Sequence, residues 1–242
     1  YNLNLAQLNG GSAMTITVES CHIQDLSITN SKNITVDNNQ LRRLYFTSDT
    51  LLSVEKNTIY NNVGYEHNIR GILLNSCSEA SVINNTITNY VVGNRSRGVD
   101  ILNSKNVSLI SNNIDARAKY EWTMGVYIEG GDTRNVLVRD NLIQSYYTSN
   151  NGVTTDGIYM DAGDSIYIKN NIIDGFNHNK AGHGISLYNI QTELEVDSNI
   201  VRNYQSNGII GNAPVGSHWK VRNNTITNIR NRGLNVQGTG GL

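Results

Sequence analysis

Short stretches in which apolar and polar residues alternate recur along the whole chain, for example Asn-Ile-Thr-Val at 33–36, Ser-Leu-Ile at 108–110 and Ser-Ile-Tyr-Ile at 165–168. Alternation with a period of two marks a strand with one buried face. Each stretch leads into an Asn that is followed, one or two positions on, by an apolar residue. The series runs Asn39, Asn57, Asn85, Asn112, Asn141, Asn171, Asn199 and Asn224, with Cys21 in the same slot one period earlier. The intervals are 18, 18, 28, 27, 29, 30, 28 and 25 residues. A fixed unit that tolerates insertions of unequal length is the signature of a solenoid.

From Gly71 onward a second pattern joins the first. Gly followed by apolar-x-apolar opens at Gly71, Gly98, Gly125, Gly157, Gly184, Gly208 and Gly233. Each unit then holds two or three short strands and leaves no room for the crossover helix that ordinary parallel strands require, so successive units must stack directly on one another. The expected fold is all-β: a right-handed parallel β-helix, or β-solenoid, of about nine coils. Residues 1–242 form one such domain. The chain opens at Tyr1 and closes on Gly-Thr-Gly-Gly-Leu, read here as mid-coil, so the domain is expected to be part of a longer chain. Stacking at the roughly 4.8 Å spacing of hydrogen-bonded strands turns the Asn series into a ladder of amides that satisfies turn backbone hidden from water.

Composition agrees. Thirty-eight Asn and 22 Gly against one Pro disfavour helices. The net charge of -1 gives no overall field for nucleic acid or an anionic membrane, and no apolar run is long enough to span a bilayer. Cys21 and Cys77 are too few for a disulfide framework and are read as small apolar fillers.

Chemistry is expected where the coils vary. The segment before each Gly strand is absent from the first 18-residue coils and grows from residue 60 onward, so a groove along that edge is the natural site. Strand alternation points Val126 and Ile128 inward and Tyr127 and Glu129 outward, and likewise Tyr159 and Asp161. Stacking yields one outward column of Leu73, Asp100, Tyr127, Tyr159, Ser186, Ile210 and Asn235. A second runs Asn75, Leu102, Glu129, Asp161, Tyr188, Asn212 and Gln237. Glu129 and Asp161 thus fall on adjacent coils, diagonally near Asp100. Two close carboxylates make an acid beside a base, the pair glycoside hydrolysis needs, and the faces of Tyr127, Tyr159 and Tyr188 suit sugar rings. The competing readings are solvated surface charge, or Ca²⁺ coordination with Asp132 and Asp164. A column preceding the Gly strands runs Arg70, Arg97, Met124, Asp156, His183, Asn207 and Arg232. It makes Asp156 and His183 neighbours able to orient an imidazole, with His178, Lys180 and Arg97 nearby for an anion.

The repeat resembles the pectate-lyase-like parallel β-helix superfamily over nearly the whole chain. Thr-Asp-Gly-Ile at 155–158 resembles the Asn-Thr-Asp-Gly motif of polygalacturonases, and Gly-His-Gly-Ile-Ser at 182–186 resembles their Gly-His-Gly-Ile-Ser motif. By that resemblance Asp156 is a catalytic carboxylate and His183 the groove histidine. The scaffold hosts lyases, hydrolases, epimerases, tailspikes and adhesins, so function has to come from the site.

The sequence therefore points to an extracellular, secreted or virion-surface protein that binds and cleaves a polysaccharide by hydrolysis. The catalytic candidates are Glu129, Asp161, Asp156, His183 and Asp100; the substrate-binding candidates are Tyr127, Tyr159, Arg97, Lys180 and Tyr188. No cofactor is required, Ca²⁺ being the one alternative. A uronic-acid lyase or C5-epimerase would instead use Tyr127, Tyr159 or His183 as base and Arg97 or Lys180 to neutralise a carboxylate. The Asp-Pro-His signature of alginate epimerases is absent. The non-catalytic alternative is an adhesin or tailspike shaft, packed through outward Leu73, Leu102 and Ile210. The protein is expected as a monomer or homotrimer, with no nucleic-acid or membrane partner.

Overall fold

A computed structural model describes residues 2–6, 15–64, 68–92, 95–119, 122–147, 155–176 and 182–238. Every strand pairing among them is parallel and in register with the equivalent strand one coil away, as in Tyr127↔Tyr159 and Tyr159↔Ser186. A full coil has three strands: a Gly strand such as Thr123–Glu129, a second strand such as Arg134–Arg139 and a third such as Leu142–Tyr147. The second strands form one continuous ladder from Ile16–Glu19 to His218–Arg222, nine strands and eight turns of the chain among the described residues. In one coil the Gly strand and second strand run on without a break, as Thr155–Lys169.

The early 18-residue coils show how the loops arise. Gln40–Thr47 is a single strand that pairs at Leu41 with Ile59 and at Leu44 with Ile72. Leu41 and Leu44 are three residues apart, whereas their partners are thirteen apart. The third strand and the Gly strand are thus one strand split by an inserted segment.

Inward apolar residues stack in columns. Ile72, Val99, Val126, Ile158, Ile185 and Ile209 are one such file, all fully buried; each buried side chain of this size contributes roughly 1.5–3 kcal/mol. Gly is required at the seam because a Cβ on Gly125 would lie 2.2 Å from Cγ2 of Ile143 and 2.7 Å from the carbonyl oxygen of Gly157. The expected Asn ladder is complete. The Asn112 side-chain carbonyl accepts from the Asn85 backbone N–H at 2.9 Å, and its amide donates to Val82 O, Ile110 O and Asn141 Oδ1 at 2.9–3.0 Å. The same bonds repeat from Asn39 to Asn224, and the Cys21 N–H donates to Asn39 at the start. Asn has a second use at the corners. Asn84, Asn170 and Asn223 sit at φ of 54–56° beside ladder positions, with Ser111, Asp140 and Ser198 in the same slot; such short polar side chains tolerate the left-handed region better than others. Cys77 is a buried filler as expected, but Cys21 is exposed, its thiol donating to Glu19 O at 3.2 Å.

Candidate active-site groove

The structure confirms the register of both outward columns, and Glu129 and Asp161 are direct partners across adjacent Gly strands. What the register left open is depth. Glu129 is exposed and Asp161 half-buried, so both reach the groove. The Tyr127 hydroxyl donates to Glu129 Oε2 at 2.6 Å, and the Asn189 amide donates to Asp161 Oδ1 at 2.7 Å. Each carboxylate is thus held by its own donor, one from its own strand and one from the next coil.

The floor beside them is aromatic. Tyr127 and Tyr159 stack with ring centroids 5.5 Å apart and planes 14° apart, and Tyr188 follows at 5.8 Å in a tilted arrangement. Arg97 caps the row, its guanidinium carbon 3.8 Å from the Tyr127 centroid. Covered by these neighbours, Tyr127 is only 8% exposed. Burial first, and then the nearby carboxylates, push the Tyr159 hydroxyl up to about 12, and Tyr127 rises further for the same reasons together with its bond to Glu129. At the loop foot Arg95 lies over the ring of Trp122 at 4.7 Å and adds another aromatic to this rim.

Asp100 departs from expectation. It occupies its predicted column but has no exposed surface, because Arg70 and Arg97 fold over it and both bond to Oδ2, Arg97 at 2.9 Å. Oδ1 has no partner among the described residues. Burial raises the Asp100 carboxyl and the two arginines oppose that rise. Asp100 is a buried counter-ion and not a groove carboxylate. Arg70, named in its column but given no role from sequence, belongs to this cluster. The only sequence signal for it was the shared register of positions 70, 97 and 100.

The Asp156 and His183 pairing is also corrected. The two are register partners, but Asp156 is buried and accepts from the Ser186 hydroxyl at 2.9 Å and from the His183 backbone N–H, not from the imidazole. Burial pushes its carboxyl up to about 7. The half-buried His183 ring turns to the next coil, where Nδ1 accepts from the Asn207 N–H at 3.2 Å, and burial lowers its pKa. Such a ring is neutral, with its proton on Nε2. Lys180 and His178 lie outside the described residues. The apolar column members Leu73, Leu102 and Ile210 are half-buried. Among the described residues, no group of three or more His, Cys, Asp and Glu could hold a metal ion.

A family model described as a right-handed β-helix region matches residues 43–242. No curated protein matches the chain. Among solved structures, the A-module of the Azotobacter vinelandii mannuronan C-5 epimerase AlgE6 is 11% identical with a TM-score of 0.36, covering 99% of this chain and 84% of that one. The periplasmic alginate epimerase AlgG is 9% identical with a TM-score of 0.36, covering 94% and 77%. The catalytic domain of a GH87 α-1,3-glucanase in complex with nigerose is 15% identical with a TM-score of 0.32, covering 98% and 58%. At these scores the likenesses carry nothing about chemistry. The family model spans most of the sequence and describes the stacked parallel coils seen here: the chain belongs to the right-handed β-helix family.

Proposed function

We propose that this chain is a carbohydrate-active β-helix that binds an extended polysaccharide along its Gly-strand face and hydrolyses it with Glu129 and Asp161. The observation that carries the reading is the direct register of these two groove carboxylates beside the Tyr127, Tyr159 and Tyr188 row. In-register strands stand about 4.8 Å apart, which puts the two side chains on neighbouring coils within reach of one glycosidic linkage. Glu129, exposed and oriented by the Tyr127 hydroxyl, suits the attacking role. Asp161, half-buried and held by Asn189, suits proton donation to the leaving oxygen. Asp156 shapes the floor beneath them, and Tyr159 and Tyr188 carry the sugar faces. A polymeric substrate of this kind places the work outside the cytoplasm.

Hydrolysis is favoured over a tyrosinate-based lyase or epimerase by one feature of the same groove. A tyrosinate base needs a lowered hydroxyl pKa, whereas Tyr127 and Tyr159 are both raised. The test is a reducing-sugar assay over a panel of neutral, uronic-acid and bacterial surface polysaccharides. Glu129→Gln and Asp161→Asn should each lower turnover by about 10²–10⁴-fold while leaving the melting temperature unchanged. An unsaturated, ultraviolet-absorbing product would show a lyase. Turnover on no glycan, together with a tight trimer that covers the tyrosines, would show a structural shaft.

A further inference from the structure

The third strands, on the other side of the loop seam, carry a second row of aromatic side chains that the proposed hydrolysis does not use. In Thr58–Val63, Thr86–Val91, Asn113–Ala118 and Leu142–Tyr147, the positions Asn62, Tyr90, Arg117 and Tyr146 are register partners from coil to coil. The Arg117 guanidinium lies over the Tyr146 ring at 5.0 Å, and Phe176 packs on the same ring at 4.8 Å. Tyr60, two residues before Asn62 on the same face, is 58% exposed, and Phe176 is 45% exposed. Exposed aromatic faces on a regular sheet offer flat surfaces on which sugar rings can stack.

At the end where the loops begin, the row opens into a cleft of about 310 Å³ whose walls include His22, Gln40 and Tyr60. Charge decides what the row can hold. Arg117 is paired with Asp115 through both Nε and Nη2. Arg202, farther along the face, is paired with Asp174 at 2.8 Å, while in the cleft wall Arg42 shares Asp25 with Arg43, at 3.1 and 2.7 Å, which leaves one positive charge at that end. Along the row itself an anionic chain would find Arg117 and Arg202 already neutralised. A single-stranded nucleic acid, which also stacks on aromatics, needs an uncompensated positive track. A protein partner would need a continuous apolar patch, but paired charges and amides interrupt this one.

We infer that this row is a second glycan-binding surface, separate from the Glu129 and Asp161 groove, and that it takes a neutral, ribbon-like polysaccharide. Sugar faces lie on Tyr60, Tyr90, Tyr146 and Phe176, and Arg117 together with the amides and imidazole of the cleft bonds the hydroxyls. A row with one position per coil, aromatic at most coils and Arg117 at one, suits an extended ligand running parallel to the solenoid axis. Such a surface keeps the protein on its polymer while the other face works, and two contacts on one chain raise the effective concentration at each.

The inference does not depend on hydrolysis, and the experiment separates the two. The probes are neutral β-1,4-glucan, β-1,3-glucan, β-1,4-mannan and β-1,4-xylan oligosaccharides of about six sugars, with a galacturonate oligomer as the acidic comparison. The protein is the full chain carrying both Glu129→Gln and Asp161→Asn, so that nothing is turned over. Calorimetry is expected to show binding of at least one neutral oligosaccharide, and Tyr60→Ala and Tyr146→Ala should each weaken it about tenfold, about 1.4 kcal/mol. The bound sugar should also protect Tyr60 and Tyr146 from nitration, mapped by mass spectrometry. Tyr60 is exposed, so its variant keeps the fold, and Arg117→Gln provides a second probe of the row if Tyr146→Ala unfolds. Three results overturn the inference: no neutral oligosaccharide binds, binding is unchanged in the Tyr60 and Arg117 variants, or the galacturonate oligomer is preferred at this row.

Discussion

Asp156 offers the sharpest quantitative test of how this fold treats a buried carboxyl. An aspartate in the unfolded chain titrates near 3.8, whereas burial beneath the Gly strand moves Asp156 up to about 7. Between those two values the unfolded chain has lost its proton and the folded one still holds it. The unfolded state therefore binds fewer protons, and stability falls as pH rises. The slope is about 1.4 kcal/mol per pH unit, and the whole interval amounts to about 4 kcal/mol. The contribution is fully present below about pH 4 and gone above about pH 7. In Asp156→Asn, an amide of the same shape keeps an acceptor oxygen for the Ser186 hydroxyl and has no charge to bury. Urea unfolding of both proteins should give similar stabilities near pH 4 and favour the variant by about 4 kcal/mol near pH 8, a large share of the roughly 5–15 kcal/mol of a typical domain. Infrared difference spectra should show a protonated-carboxyl band that titrates near 7 and is missing from the variant. A constant stability difference across this range, or a band that titrates near 4, would refute the reasoning.

Substitutions at three sites test the scaffold around the groove. Asn112→Ala leaves the Asn85 N–H without its side-chain acceptor and takes a donor from the Val82 and Ile110 carbonyls, and should cost about 3–5 kcal/mol in urea unfolding. Gly125→Ala drives a methyl group against Ile143 and the Gly157 carbonyl and should lose about 2–4 kcal/mol, whereas Gly131→Ala, with nothing within 4 Å, should change stability by under about 0.5 kcal/mol. Arg97→Ala strips one cation from the buried Asp100 and should cost about 3 kcal/mol near neutral pH. Adding Asp100→Asn should recover most of that loss, and no recovery would mean that the stability comes from Arg97 packing on Tyr127 and not from its charge.

The sequence by itself determined the period, the strands, the ladder and the vertical neighbours of every outward residue. In a parallel solenoid these follow from counting. Side chains alternate across a strand, and identical turns hold successive coils in register, so Glu129 had to stand over Asp161, and Asn112 between Asn85 and Asn141. Only the tertiary structure decided depth and partnership. Alternation gives a direction for Asp100 but not the fact that Arg70, thirty residues earlier, folds across it, or that Asp156 spends its hydrogen bonds on Ser186 and a backbone N–H while His183 turns to Asn207. The use of Asn at left-handed corners was likewise hidden in a composition that the ladder alone seemed to explain. The reason is that side-chain burial depends on the lengths and rotamers of neighbours one coil away. Register fixes where those neighbours stand, and packing alone fixes where they reach.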